Sequence, residues 1–249
     1  MASVFNFSAI AVVGLILGFI LLFAWNLGSG VLKSSRRSLL IVRRLTLLVA
    51  IALFGAGLLG LLRNLTEPSV TMSVPMENIW PLPLPGVTIQ PGSAVISDAG
   101  ASFVPLTMTG VSFDARLLWA LGELLGVLLP ATIALLVFVA LRELAEEKPF
   151  TPLLARLTLI AGFVALVAGI AAPILRGIGG SMASYQALYI SAAEYTGYPD
   201  DWSPFDQLPQ PTVNVPLEPW PIGVAVALFA LAAILRFGQQ LQRETEGLV

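Results

Sequence analysis

The chain contains no cysteine and no histidine. Disulfides and thiolate metal sites are therefore excluded. The commonest general base and the commonest imidazole metal ligand are missing as well. Charge is also scarce. Only 11% of the 249 residues are Asp, Glu, Lys or Arg, against about 25% in a typical soluble domain. A water-soluble enzyme does not fit, and neither does a disordered chain, which needs low hydrophobicity and high net charge. What is abundant is apolar: 57% of residues are hydrophobic, and the mean hydropathy is +0.87. This is the composition of a polytopic membrane protein.

A helix crosses a hydrocarbon core with roughly 20 apolar residues. Five runs meet this requirement: Val4 to Leu27, Leu45 to Leu62, Leu117 to Leu141, Leu157 to Leu175, and Trp220 to Phe237. None alternates in the manner of a membrane β-barrel strand. In the bilayer every backbone polar group must be satisfied internally, so the spans are expected to be helical. The first run is too long for a signal peptide, has no basic residue before it and ends in a poor cleavage site, Ala24-Trp25-Asn26. It is expected to be retained.

The distribution of charge predicts orientation. Lys33, Arg36, Arg37, Arg43 and Arg44 follow the first span. Arg142, Lys148 and Arg156 lie between the third and fourth, and Arg236 and Arg243 at the C-terminal end. These are ten of the 13 basic residues, and all fall on one side. By the positive-inside rule that side is the cytoplasm, with the N-terminus outside and the C-terminus inside. Arg63, Arg116 and Arg176 flank helix ends on the other side, together with most of the acids.

Two long outer segments are then expected, residues 64–115 and 177–219. The first alternates over Val70 to Val74, Val87 to Gln90 and Val104 to Val111, punctuated by Pro81, Pro83, Pro85-Gly86 and Pro91-Gly92. This is a strand-and-turn pattern. The second begins with an amphipathic helix over Ser181 to Tyr195 and later offers a strand at Thr212 to Val215. Strands from the two segments are expected to pair, because a lone hairpin is marginal in water. The expected fold is an all-α polytopic protein, a five-helix transmembrane bundle carrying a small extracytoplasmic α+β cap. Tyr185, Tyr189, Tyr195, Tyr198 and Trp202 gather in the second outer segment. They read either as an interfacial aromatic belt or as a ligand or partner surface.

Few residues could carry chemistry. Glu123 is the acid well inside a span, and an ionised group at the bilayer centre costs about 2.5–3.5 kcal/mol. It is expected to pair with one of Arg63, Arg116 or Arg176 at the same level. The sharper alternative is a proton or cation site. Asp200, Asp201 and Asp206 lack the spacing of an EF-hand loop. No phosphate loop, nucleophile elbow or zinc motif occurs. No catalytic residue, metal or cofactor is expected. Small-residue pairs predict close helix packing: Gly14 and Gly18, Ala56 and Gly60, Ala165 and Gly169. Pro130 is expected to kink the third span.

Two inner motifs remain. The third inner loop contains Lys148-Pro149-Phe150-Thr151-Pro152 followed by Arg156-Leu157, where Thr151 suits an N-cap and Pro152 a first helical position. Phe150 would sit at the lipid interface, and Arg142 and Glu146 are spaced for an i, i+4 pair. The other motif, Arg236-Phe237-Gly238, marks the exit from the last span, with Arg236 to Gly247 as a short helix on the inner surface or a docking tail. Together these motifs resemble a bacterial membrane family, the domain of unknown function 2975, over about Arg43 to Val249. Members of that family have a Lys-Pro-Phe-Thr/Ser stretch ahead of Arg-Leu and a Phe-x-x-Gly-x-x-Leu-like exit, of which Arg236-Phe237-Gly238 is a shortened version. The resemblance implies a four-helix membrane domain over residues 33–249, with residues 1–32 as an additional helix. It also implies a bacterial plasma membrane and a small cytoplasmic helix-turn-helix regulator as partner. The other expected partners are the lipid bilayer and a membrane protein or second copy of the chain; direct nucleic-acid binding is not expected. The leading functional expectation is a non-enzymatic sensor, regulator or accessory subunit. The alternative is a small transporter or permease with a polar site near Glu123.

Overall fold

The protein is described by a computed structural model over residues 36–79, 101–146, 151–191 and 208–246. The first predicted span, Val87 to Gln90, and Tyr195, Tyr198 and Trp202 lie outside the described residues, as do Lys148, Pro149, Phe150, Asp200, Asp201 and Asp206. In chain order the elements are α1 (Arg36–Thr66), β1 (Ser69–Ile79), β2 (Ala101–Thr109), α2 (Phe113–Ala145), α3 (Pro152–Leu188) and α4 (Trp220–Glu246). The chain is mostly helical, and all four helices are long and apolar enough to cross a membrane.

The helices pack in sequence. α1 lies on α2, α2 on α3 and α3 on α4, and no other helix pair packs to a comparable extent among the described residues. Small residues set each contact. Gly57 of α1 meets Leu124 and Val127 of α2. On α3, Gly162 receives the ring of Phe229, which also stands edge-on to Phe163 at 5.2 Å between centroids. Gly169 receives Pro221, and buried Ala165 lies in a cluster with Leu129 and Ala225. Ala165 and Gly169 thus both serve the α3–α4 contact, whereas Gly60 of the expected Ala56–Gly60 pair faces open space, and Gly57 takes its place. Pro130 lies inside α2, where the continuous helix accommodates it. Neighbouring helices are antiparallel, as the pairings Gly57–Leu124 with Arg43–Phe138 and Gly122–Arg176 with Gly179–Trp119 require. One end of the molecule therefore holds the start of α1, the end of α2, the start of α3 and the end of α4.

The other end carries an antiparallel two-stranded sheet, with Ser69 opposite Thr109 and Pro75 opposite Phe103. Side chains alternate as a strand demands. Val70, Met72 and Val74 point inward and are buried with Trp119 of α2 and Ala183 of α3; Leu106, Met108, Val111 and Leu188 close over them. Thr71 and Thr107 face outward and share a hydroxyl hydrogen bond of 2.8 Å. Gly110, at φ +75°, turns the chain from β2 towards α2. Such a conformation is strained for any residue with a Cβ.

Three expectations are corrected. Residues 181–188 are not the start of a separate amphipathic helix over Ser181 to Tyr195. They are the last turns of α3, which runs unbroken past Leu175 and stops at Tyr189. Thr212 to Val215 forms no strand; among the described residues the 208–219 segment reaches the sheet through the bridge Met76 to Pro211 and a hydrogen bond from Glu77 N to Gln210 O. Arg236 to Glu246 is neither a separate surface helix nor a tail, because α4 continues through Gly238 to Glu246.

Candidate functional site

The stretch Arg176-Gly177-Ile178-Gly179-Gly180-Ser181-Met182-Ala183-Ser184 of α3 is where the molecule converges. A Cβ at Gly179 would stand 2.8 Å from the Ala115 carbonyl oxygen and the Trp119 nitrogen, so the start of α2 rests directly on the α3 backbone. Gly180 leaves room for the Ser73 carbonyl of β1, and Gly177 for the backbone of Asn214 and Val215. The two serines then fasten what the glycines admit. Ser184 Oγ donates to the Pro75 carbonyl at 2.5 Å and accepts from Thr212 N at 3.3 Å. Ser181 Oγ donates to the Gly177 carbonyl at 2.7 Å and accepts from Asn214 N at 3.1 Å. A polar group buried this deeply needs such partners.

One turn earlier lies the charged pair. Arg176 Nη1 stands 3.3 Å from Glu123 Oε1, linking α3 to α2. The contact depends on the residue beside Glu123: a Cβ on Gly122 would come within 2.6 Å of Arg176 Cγ. The Arg176 side chain is 40% exposed and that of Glu123 27%, so the pair is not sealed in the interior. The other two candidate arginines are used elsewhere. Arg63 pairs with Glu67 at 2.8 Å, within a turn of its own chain. That hydrogen bond and the adjacent positive charge hold the Glu67 carboxyl below the usual carboxylate range. Arg116 reaches back from α2 to the end of α1, donating to the Asn64 carbonyl at 2.7 Å and to the Glu67 carbonyl. Ser112 caps α2, and its backbone and hydroxyl exchange hydrogen bonds with the Gln186 amide at 2.9 and 2.8 Å. Tyr185 and Tyr189 are exposed at this end, where the Tyr189 N–H closes α3 on the Tyr185 carbonyl at 3.3 Å.

At the opposite end Thr151 is the N-cap of α3, accepting from Leu154 N at 3.3 Å, with Pro152 in the first turn. The Thr151 carbonyl accepts from Gln239 Nε2 at 2.6 Å, which ties the end of α4 to the start of α3. Between them opens a cleft of about 360 Å³ lined by Pro152, Ala155, Arg156, Arg236, Gln239 and Gln240. On α2, Arg142 pairs with Glu146 at 3.2 Å. The Arg43 guanidinium lies 6.0 Å from the centre of the Phe138 ring, a distance compatible with a cation–π contact.

Sequence reasoning missed the glycine–serine stretch and the buried Glu143 near the end of α2. For the former a signal existed. Gly177, Gly179, Gly180, Ser181 and Ser184 are more small residues than a lipid-facing turn needs.

Compared with family models, with curated proteins and with solved structures, the chain matches none.

Proposed function

We propose that the chain is a non-enzymatic regulatory or sensor protein, or an accessory subunit, of a bacterial plasma membrane. In this reading it crosses five times, has its N-terminus outside, and presents the sheet and the second outer segment as an extracytoplasmic cap. The observation that carries the reading is the junction at residues 176–184. There the strands, the second outer segment and the start of α2 all press on one helix that continues to the opposite end. In this reading a displacement of the cap shifts the balance between two arrangements of α3. Such an element, biased from one end and read at the other, is the physical requirement for signalling across a membrane. The gathering of basic residues at the end opposite the sheet supports the orientation. The Lys148 to Arg156 motif supports kinship with the unknown-function family and hence a small helix-turn-helix partner in the cytoplasm.

Export-dependent phosphatase fusions test the topology. Activity is expected for a fusion within residues 80–100, and none for a fusion after Val249. Crosslinking of native membranes followed by mass spectrometry tests the function. A cytoplasmic or membrane partner is expected, and its yield should fall when Gly180→Val unseats the strands. Recovery of the chain with no partner would overturn the reading. The partial exposure of Glu123 favours a second reading, a small transporter with its polar site there. That reading requires uptake into liposomes that Glu123→Gln abolishes.

A further inference from the structure

We propose that the cleft between the start of α3 and the end of α4 binds a phosphate-bearing anion, with the headgroup of an anionic phospholipid as the favoured source. Its lining is rich in hydrogen-bond donors and, among the described residues, contains no carboxylate: Arg156 from α3, Arg236, Gln239 and Gln240 from α4. Arg63, Arg142 and Arg176 each neutralise an acid. Arg156 and Arg236 form no ion pair among the described residues and are exposed into the cleft region. Two guanidinium groups from different helices offer planar forks that match phosphate oxygens. They sit on a fixed frame, because Gln239 clamps the Thr151 carbonyl and so holds the two helix ends together. The positive end of the α3 dipole adds to the same field.

The volume of about 360 Å³ is near the lower limit of small-ligand sites. Apolar residues stand exposed beside it: Leu153 on α3, Phe237 and Leu241 on α4. A basic cleft bordered by apolar side chains at the end of a membrane helix is the arrangement that receives a lipid phosphate with its acyl chains alongside. The inference requires only that the helices cross a membrane. It is independent of the sensor reading and of the identity of any protein partner.

The test uses the full chain in a neutral detergent, with native mass spectrometry after addition of equal amounts of phosphatidylglycerol or phosphatidylcholine. The wild type is expected to retain phosphatidylglycerol preferentially. The Arg156→Gln/Arg236→Gln variant should reduce that retention by about tenfold, as loss of charge-assisted hydrogen bonds implies. An Arg44→Gln/Arg142→Gln variant removes as much charge from the same end, outside the cleft lining, and should retain lipid like the wild type. A parallel arm measures the melting temperature with added glycerol 3-phosphate. A rise in the wild type that is absent from the cleft variant, without lipid preference, assigns the same site to a soluble phosphate. The proposal is overturned if the two lipids are retained equally and glycerol 3-phosphate gives no shift. Equal losses in the two double variants also overturn it. Should the cleft double variant not fold, Arg156→Gln and Arg236→Gln are tested singly. Each should lose part of the preference, and no change in either overturns the proposal.

Discussion

At the residue scale, the fold depends on side chains that are missing. Gly179 and Gly60 are both helical glycines, yet a Cβ at Gly179 would press on backbone atoms of α2, whereas one at Gly60 would meet nothing within 4 Å. Gly179→Ala is therefore expected to destabilise the protein by about 1–3 kcal/mol, the usual cost of overpacking. Gly60→Ala should instead leave stability unchanged or raise it by up to about 1 kcal/mol, through the reduced entropy of the unfolded chain. Thermal unfolding of the two variants in one detergent distinguishes these outcomes. The Glu123–Arg176 pair is partly exposed, so Glu123→Gln should cost only about 0–1 kcal/mol in the same measurement. Glu67 lies outside the spans, and its carboxyl is held low by Arg63. The contribution of that tie is present above the ordinary carboxylate range and lost as pH falls through the depressed folded value. A carbon-13 titration of the Glu67 side chain should give a midpoint below that of an ordinary glutamate. Arg63→Met should move it upward.

At the scale of elements, burial at the sheet end is polar as well as apolar. Ser184 is fully buried and serves two segments at once, β1 through the Pro75 carbonyl and the 208–219 segment through Thr212 N. Ser184→Ala removes both hydrogen bonds and leaves buried backbone groups unsatisfied, at about 1–3 kcal/mol. Because the loss is local, hydrogen exchange of amides in β1 and β2 should quicken more than exchange in α2. On the helix side, Ala165 is fully buried against Leu129 and Ala225, and Ala165→Leu should lower the melting temperature through a cost of about 1–3 kcal/mol.

The elements also mark where the sequence was readable. Spans two to five followed from apolar run length, β1 and β2 from period-two alternation, and the start of α3 from the cap chemistry of Thr151-Pro152. The end of α3 did not follow. Gly177 to Gly180 looks like a loop when intrinsic preference alone is considered. It stays helical because three other segments press on it, and no local pattern records that pressure. The helical exit at Gly238 was misjudged for a related reason, since Gln239 is held by the Thr151 carbonyl. The candidate sites were less legible than the spans. Glu123 was visible as a charge in an apolar run, but its choice of Arg176 over Arg63 and Arg116 depends on the crossing allowed by Gly122. Arg156 and Arg236 stood out as basic residues, but their convergence is a property of the tertiary fold.

At the scale of the whole molecule, the four helices form a row in which each packs on the one before it. Among the described residues α1 stands at one end of the row and is the least buried, and α3 is the most. The row also has an order in time. A helix emerging from the ribosome finds its partner already in place, because that partner is its immediate predecessor, and contacts of this kind close quickly. The strands are different. Ser184 meets the Pro75 carbonyl across 109 residues of chain, so β1 is made long before its seat exists. During synthesis Val70, Met72 and Val74 can meet β2 and Trp119 early, but the side of their cluster closed by Ala183 and Leu188 stays open until α3 is complete. Chains stalled before Ser184 should be cut readily by protease between Ser69 and Thr109, and chains stalled well beyond it should resist.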